Sequence, residues 1–413
     1  MNKGVTVAQS SARTDVNRSA ILACIGVQGP MSRADLARQL AVSPALITQL
    51  TRQLVADGLV IELENGPSRG GRPARLLGLV TEAGGAIGVK LVADHVTAVE
   101  VGIDGTVLRS ATEPFDASTP TAVGALVGIL RRFIAAGDGR PLLGLGVGVP
   151  GSVDEQAVGT VDSTQLGWQY VPLGTTLRHE LDLPVLVENN VNALAMAEAL
   201  HGQARGHDDV LVVTIGTGVG AGIITDGLVM RGHSGVAGEI GHIPVLEDGP
   251  TCQCGASGCL EALVGQQALI DQGRERGVIG PRTGIAGLRA KADEGDADAQ
   301  EIFGRAGHRL GRVLAGVINT VDPEVVIVLG EGIEAWRHWS FGFEPALRSA
   351  LVPRKRGITV AVETWQDDRW AQGAASLVLA TPFDAQGVSG EQGRLVRERL
   401  TVSARPDGPE AAL

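Results

Sequence analysis

His242 stands ten residues before the run Cys252-Gln253-Cys254-Gly255-Ala256-Ser257-Gly258-Cys259. One imidazole and three thiols at that spacing can close a tetrahedral zinc site. Only one other cysteine, Cys24, occurs in the chain, and a disulfide across Cys252-x-Cys254 would be strained. The spacing therefore points to one structural zinc per chain and away from a disulfide framework. Glu239 and Glu261 flank the cluster with carboxylates able to accept a polyol's hydroxyls. A metal here can staple a loop, position a ligand, or do both.

Glycine-rich turns supply the other candidate chemistry. Residues 143–151 read as a buried strand ending in a glycine turn. Residues 183–187 form a second strand leading to Glu188-Asn189-Asn190, which opens a helix reaching about Leu200. Backbone and amide donors then converge at the mouth of two strands. A second half starts with the strand 210–215, followed by Gly216-Thr217-Gly218-Val219-Gly220-Ala221-Gly222. That hairpin either cradles an anion with its N–H groups or is a plain tight turn. A helix over 298–320 then precedes residues 322–332, another strand into a glycine turn. Upstream, three extended runs at 86–91, 96–102 and 106–110 read as a meander, with a helix over 121–136 after them. The duplicated strand-plus-glycine halves resemble the actin-like, hexokinase-like ATPase fold, which implies a two-lobed α/β body over residues 82–383.

Composition sets the limits. A chain of 413 residues, 44% hydrophobic with 58 glycines, is a large globular α/β protein of two or three domains. No apolar run reaches the roughly 18–20 residues that span a bilayer, and no secretory signal opens the chain, so a cytoplasmic location without membrane partners is expected. The net charge of −11 alone argues against nucleic-acid binding. The first 80 residues, however, hold nine basic and five acidic side chains, a surplus of four that leaves −15 for the other 333. A small basic module on an acidic body is the pattern of a DNA-binding head on a sensor.

The head carries helix signals to match. Residues 16–28 place Ile21, Leu22 and Ile25 on one face; after the turn at Gly29-Pro30, Ser32-Arg33-Ala34-Asp35 is a variant capping box opening a helix that ends near Ala41. Ser43-Pro44 caps a third helix with Leu46, Ile47, Leu50, Leu54 and Val55 at helical spacing, stopped by Asp57-Gly58. Two short helices joined this tightly form a helix-turn-helix, and Ser43, Ala45, Thr48, Gln49 and Arg52 would face the major groove. Gln49 can read adenine, and Arg52 guanine or phosphate. Strands at 59–64 and 74–79 would flank a wing whose Arg69-Gly70-Gly71-Arg72-Pro73 suits an AT-rich minor groove. The plainer readings are a packing hairpin and a solvated loop. Residues 1–80 are thus expected to be a winged helix-turn-helix, and residues 384–413, rich in Gly, Pro and charge, a disordered tail.

Three segments carry a family resemblance: Gly146-Val147-Gly148-Val149-Pro150-Gly151, Ile215-Gly216-Thr217-Gly218-Val219-Gly220-Ala221-Gly222, and residues 239–261 with their His-Cys-x-Cys-Cys pattern. In order and spacing they resemble the ROK family of bacterial sugar kinases and sugar-responsive repressors. With a head in front, the chain resembles the regulator branch, which includes xylose- and N-acetylglucosamine-responsive repressors. The resemblance implies a sugar pocket lined by Gly151, Asn189, Asn190, Glu239, His242 and Glu261, with Thr164 or Gln165 nearby. His242 would have one nitrogen on zinc and the other facing a sugar hydroxyl.

Two positions depart from the kinases of that family. Where they carry Asp-x-Gly-Gly-Thr at the end of the first strand, this chain has Lys90-Leu91-Val92-Ala93-Asp94; lysine cannot ligate magnesium, and a solvated strand-end role is its expected one. Where they carry Glu-Asn-Asp, with the aspartate as general base, this chain has Glu188-Asn189-Asn190. An amide takes no proton near neutral pH, and losing a general base costs roughly 10²- to 10⁴-fold in rate. The expectation is a catalytically silent sensor: a repressor of double-stranded operator DNA, acting as a homodimer or dimer of dimers and answering to a sugar effector. The alternatives are an ATP-dependent sugar kinase with an accessory DNA-binding head, or a body serving only as a dimerisation platform.

Overall fold

The head assembles from its caps. The computed structural model describes residues 21, 24–25, 29–40, 42–56, 58–65, 74–80, 84–103, 105–156, 158–204, 207–363, 368–381 and 390–403. Of the expected first helix only Ile21, Cys24 and Ile25 are described, and the wing tip Arg69-Gly70-Gly71-Arg72-Pro73 lies outside the described residues. A two-residue strand β1 (Met31–Ser32) leads into helix α1 (Arg33–Gln39). Ser32 Oγ accepts the Asp35 N–H at 3.2 Å and donates to the Asp35 carboxylate at 2.6 Å, so the cap closes on itself. Helix α2 (Pro44–Ala56) begins on Ser43, whose Oγ accepts the Leu46 N–H at 3.2 Å. Its Ile47, Leu50 and Leu54 are fully buried, each contributing roughly 1.5–3 kcal/mol.

Strands β2 (Val60–Asn65) and β3 (Arg75–Leu79) pair antiparallel as the two sides of a wing, with Val60 opposite Leu79. β1 adds to the other edge of β3, a pairing too short to leave any periodicity in the sequence. Glu62 clasps this assembly, taking Arg33 from α1 and Arg75 from β3 at 2.6 Å each. These guanidiniums, Arg33 foremost, hold its carboxyl below the usual carboxylate range.

Two five-stranded sheets form the body. In the first, β4 (Gly85–Leu91) is central: β7 (Leu142–Val149) and β11 (Val185–Asn189) follow in parallel on one side, and β5 (His95–Gly102) and β6 (Val107–Pro114) antiparallel on the other. In the second, β12 (Val210–Ile215) is central, with β15 (Val325–Leu329) and β16 (Thr359–Val362) parallel on one side, and β13 (Val219–Thr225) and β14 (Leu228–Val229) antiparallel on the other. The two sheets have the same topology, which is the duplication the sequence predicted. Between β7 and β11 a small sheet of β8 (Ser152–Val153), β9 (Val161–Ser163) and β10 (Trp168–Val171) is inserted.

Helices α3 (Ala122–Ala135), α4 (Leu173–Leu181) and α5 (Asn190–His201) belong to the first half, and α6 (Glu261–Val264), α7 (Gln266–Glu275), α8 (Ile285–Asp293), α9 (Ala297–Val321) and α10 (Trp336–Ala350) to the second. The chain divides into two compact units, residues 1–206 with 368–413, and residues 207–367. The head does not stand apart: Leu36, Leu50 and Leu77 share one apolar cluster with Ala86, Val99 and Leu186 of the first body sheet. Among the described residues no helix is long and apolar enough to cross a membrane.

After the second unit, α11 (Asp368–Ala380) returns to pack on β4, β7 and α5. It is followed by α12 (Gly390–Ser403), inside the segment expected to be disordered. The correction has a clear physical basis. Val396 is fully buried, Gln392 Oε1 accepts the Val185 N–H at 3.3 Å, and Arg399 Nη2 donates to the Asp182 carbonyl at 2.8 Å. Tertiary partners stabilise a helix whose composition alone would not form one.

Lys90 also departs from its expectation. It is not a solvated strand end but buried, 7% exposed, because β4 is flanked by strands on both sides and pairs Lys90 with Thr97 and Gly148.

Val396→Asp should cost about 2–4 kcal/mol of stability, seen as a lower urea midpoint by far-UV circular dichroism. Glu398→Gln, at an exposed pair with Arg394, should shift it by less than about 0.5 kcal/mol. Equal midpoints for both variants would mean that α12 is not docked.

Candidate functional site

The second unit holds the candidate metal centre. A short 3-10 turn, Ile240–His242, presents the imidazole, and a knuckle carries the thiols: Cys252 N–H donates to the Ala256 carbonyl at 2.7 Å and Gly255 N–H to the Cys252 carbonyl at 2.9 Å. Gly258 lets the knuckle close. Its φ is +70°, and a Cβ there would run into the Leu246 carbonyl oxygen. The four donor atoms of His242, Cys252, Cys254 and Cys259 all lie within 4.8 Å of one another.

Their spacing fits zinc. Metal–sulfur bonds of about 2.3 Å and metal–nitrogen bonds of about 2.0 Å at tetrahedral angles separate neighbouring donors by roughly 3.5–3.8 Å. Cys252 Sγ lies 3.5 Å from His242 Nδ1, and Cys254 Sγ 3.7 Å from Cys259 Sγ. Charge points the same way: burial, followed by the two neighbouring thiols, pushes the Cys259 thiol up to about 12. Burial raises Cys252 as well, while the Ala256 backbone lowers Cys254. All three cysteines at this density can ionise together only with a cation beside them.

With Nδ1 turned to the thiols, His242 Nε2 is left facing Glu239, 3.8 Å from its Oε2. Burial pushes the Glu239 carboxyl up, His242 pulls it down and Glu261 adds to the rise, although 38% of the side chain still meets solvent. Glu261 opens α6 and ties two loops together. Its Oε2 accepts the Val219 N–H at 2.9 Å, and its Oε1 accepts Gln253 Nε2 at 2.6 Å. The glycine hairpin and the metal knuckle are therefore fastened by one carboxylate.

Two of the hairpin's donors, the Gly216 and Val219 N–H groups, are occupied within the protein. Gly216 N–H bonds the Gly218 carbonyl at 3.0 Å, and a Cβ on Gly216 would collide with the carboxylate of Glu331 from the other glycine turn. The loop is a tight turn closed by the Gly216–Gly218 bond, and both readings of it stay open at Thr217 and Gly218. Glu331 was not singled out in the sequence; an acid between Gly330 and Gly332 was its only signal.

The first unit places its residues around the end of β11. Asn189 caps α5, its Oδ1 accepting the Val191 and Asn192 N–H groups, while its Nδ2 donates to the Gly151 carbonyl at 2.9 Å. Gly151 has φ +106°, and a Cβ there would strike the Asp162 carbonyl of β9. Glu188, 1% exposed, accepts the Asn189 N–H and Gln156 Nε2 at 2.8 Å each, which sets the cap. Asn190 follows, half-buried, and Thr164 and Gln165 lie exposed in the turn after β9.

In the head, Pro44, Ala45, Thr48, Gln49, Arg52 and Gln53 line one open concave face of α2. Ser43, Ala45, Gln49 and Arg52 are exposed and Thr48 half-buried. Gln53 completes the stripe one turn past Gln49 and was missed. On the opposite face the Thr51 hydroxyl accepts Arg33 Nε at 3.0 Å, which locks α2 to α1.

Comparison with known proteins matches residues 86–381 to the ROK family and residues 16–65 to the MarR family. The chain is 31% identical over 375 residues to the DNA-binding transcriptional dual regulator NagC of Escherichia coli K12, covering 88% of this chain and 92% of that one. Among solved structures, a ROK family transcriptional regulator, homologue of the E. coli Mlc protein, superposes with a TM-score of 0.79 at 26% identity, covering 94% of this chain and 99% of that one. A ROK family glucokinase from Streptomyces griseus, in complex with glucose and AMPPNP, reaches 0.63 at 28% identity, covering 71% of this chain and 99% of that one.

One divalent ion per chain should bind the four-donor cluster, measured by elemental analysis and competition with a chromogenic chelator. Cys259→Ser should abolish it. Because binding expels protons from raised thiols, affinity should fall as pH drops below neutral; metal retention by the variant, or pH-independent affinity, would exclude the assigned donor set.

Proposed function

The chain belongs to the ROK family, and we propose that it is a sugar-responsive DNA-binding transcriptional regulator, a repressor whose body senses a sugar without phosphorylating it. The observation that carries this reading is the union, on one chain, of a MarR-type head with an open Gln49–Arg52 face and a ROK body that has an amide, Asn190, next to the capping Asn189. An amide holds a hydroxyl by hydrogen bonds and does not remove its proton.

Further support comes from the metal-centre side. The cluster geometry suits a structural zinc, which would fix the knuckle and leave His242 Nε2 and the Glu239 carboxylate as a donor–acceptor pair for vicinal hydroxyls. The proposed sugar contacts are Glu239, His242 and Glu261 in the second unit, and Gly151, Thr164, Asn189 and Asn190 in the first. The proposed DNA contacts are Ser43, Ala45, Thr48, Gln49 and Arg52, with Arg69, Gly70, Gly71, Arg72 and Pro73 of the wing. The protein would act in the cytoplasm as a homodimer or a dimer of dimers on a roughly palindromic operator.

No general base stands at Asn190, buried Lys90 cannot hold magnesium, and the Gly216 loop already carries a carboxylate. These three features weigh together against the kinase alternative.

The test is binding to the chain's own promoter DNA at fixed salt, with and without a panel of sugars and sugar phosphates. One of them should change the affinity at least several-fold, and a coupled assay should detect no sugar-dependent ATP turnover. Arg52→Ala should weaken operator binding by about 1–3 kcal/mol without altering sugar affinity, while Glu239→Ala should weaken sugar binding and spare the DNA affinity of the sugar-free protein. DNA affinity indifferent to every sugar, or turnover above background, would overturn the reading.

A further inference from the structure

Three of the chain's four cysteines share the metal knuckle, and they differ in what reaches them. Cys254 is exposed, whereas Cys252 and Cys259 are 5% and 0% exposed. A reagent arriving from solvent therefore meets the Cys254 sulfur first, and Cys259 Sγ stands 3.7 Å from it. An accessible sulfur with a second one in reach is the arrangement that carries a cysteine through sulfenic acid to a disulfide. Geometry selects this pair. Sulfurs bond at about 2.05 Å, so Cys254 and Cys259 must close by roughly 1.7 Å. The chain between them has the freedom to do so: Gly255 and Gly258 take φ of +89° and +70°, and a Cβ on Gly255 would meet nothing within 4 Å. Cys252 is placed less well, since a Cys252-x-Cys254 bridge is strained and its sulfur already faces His242 Nδ1 at 3.5 Å. Cys24 lies apart, in the apolar cluster of the head.

We propose that Cys254 and Cys259 form a redox modification site, a dithiol that hydroperoxides oxidise to a disulfide and that thereby dismantles the metal cluster reversibly. The Cys254 sulfur attacks the outer oxygen of the hydroperoxide, and the O–O bond breaks. The leaving oxygen departs as an alcohol, or as water from hydrogen peroxide, with the thiol proton, and Cys254 becomes a sulfenic acid. The Cys259 sulfur then attacks the Cys254 sulfur. The S–S bond forms as the S–O bond breaks, and the hydroxide leaves as water with the second thiol proton. Each sulfur gives up one electron and the peroxide bond takes both; where a cation holds the sulfurs as thiolates, solvent supplies the two protons. The disulfide removes two of the four donors, and His242 with Cys252 is too small a set for a closed tetrahedral site. The effect extends beyond the knuckle. Gln253, next to Cys254, is one of the two anchors of Glu261, whose other oxygen holds the Val219 N–H of the glycine hairpin.

The test treats the zinc-loaded full chain with a few equivalents of hydrogen peroxide and reads it by peptide mapping and a chromogenic chelator. A Cys254–Cys259 disulfide should form in step with metal release, with Cys24 still a thiol, and a dithiol reductant with fresh zinc should restore the starting state. Backbone amides of Cys252, Gly255 and Val219 should exchange hydrogen about tenfold faster or more in the oxidised chain. Cys24→Ala should respond as the unaltered chain does. Cys254→Ser, whether or not it holds metal, should leave Cys259 reduced at the same peroxide dose. Metal retained at a dose that oxidises free cysteine, a bridge through Cys252 or between chains in place of Cys254–Cys259, or Cys259 oxidised equally in Cys254→Ser overturns the proposal, and unchanged exchange at Val219 overturns the link to Glu261. Because no DNA or sugar enters the measurement, its failure leaves the regulator reading untouched.

Discussion

Glu261 is the interaction on which the second unit's functional surface depends. One carboxylate accepts the Val219 N–H with one oxygen and Gln253 with the other, so the glycine hairpin and the metal knuckle move as one piece. The residues between these anchors inherit the constraint. Leu260 N–H reaches the Ile243 carbonyl at 2.9 Å, which holds the 3-10 turn of His242 beside the knuckle, and the imidazole then has one nitrogen for the thiols and one for Glu239. Hydrogen bonds to a charged acceptor are stronger than neutral ones, and the glycine at 218 permits this close approach, its absent Cβ lying 2.7 Å from Glu261 Oε2.

The first unit solves the same problem with amides. Asn189 satisfies two N–H groups at the start of α5 and the Gly151 carbonyl at once, leaving Asn190 beyond it free of cap duty. Glu188 sets the orientation from below, fully buried and bonded on both oxygens. Such a rigid cap is suited to presenting a hydrogen-bonding surface that need not change protonation. The head follows a related economy. Arg33 alone joins α1 to Thr51 of α2 and to Glu62 of β2, so the recognition face is braced from behind while its front stays open.

Much of this was legible in the sequence wherever the signal was local. Ser32-Arg33-Ala34-Asp35 and Ser43-Pro44 announced two helix starts that the hydrogen bonds of Ser32 and Ser43 bear out, and Cys-x-Cys spacing with a distant histidine announced the donor cluster. Repeated strand-and-glycine patterns announced the duplicated sheet. What escaped was set by partners far along the chain. Helix α12 is held by Val185 and Asp182, some two hundred residues away, so its own composition read as disorder. Lys90 looked solvated because nothing local marks a central strand. Glu331 and Gly216 lie more than a hundred positions apart, and no spacing rule links them.

That last contact bears on what the glycine loop of the second unit can host. A glycine loop draws in phosphate only if its N–H groups are unpaired and its surroundings are neutral or positive. Here Gly216 N–H is spent on Gly218, Val219 N–H on Glu261, and Glu331 lies where a Gly216 side chain would stand. Two carboxylates at one loop make it a poor host for an anion and a good internal brace. The absent side chains at Gly216 and Gly218 let two protein carboxylates approach the loop closely, which braces it from both sides. A loop braced in this way can transmit a change at Glu261 to the metal knuckle and the hairpin together, because both are bonded to the same carboxylate.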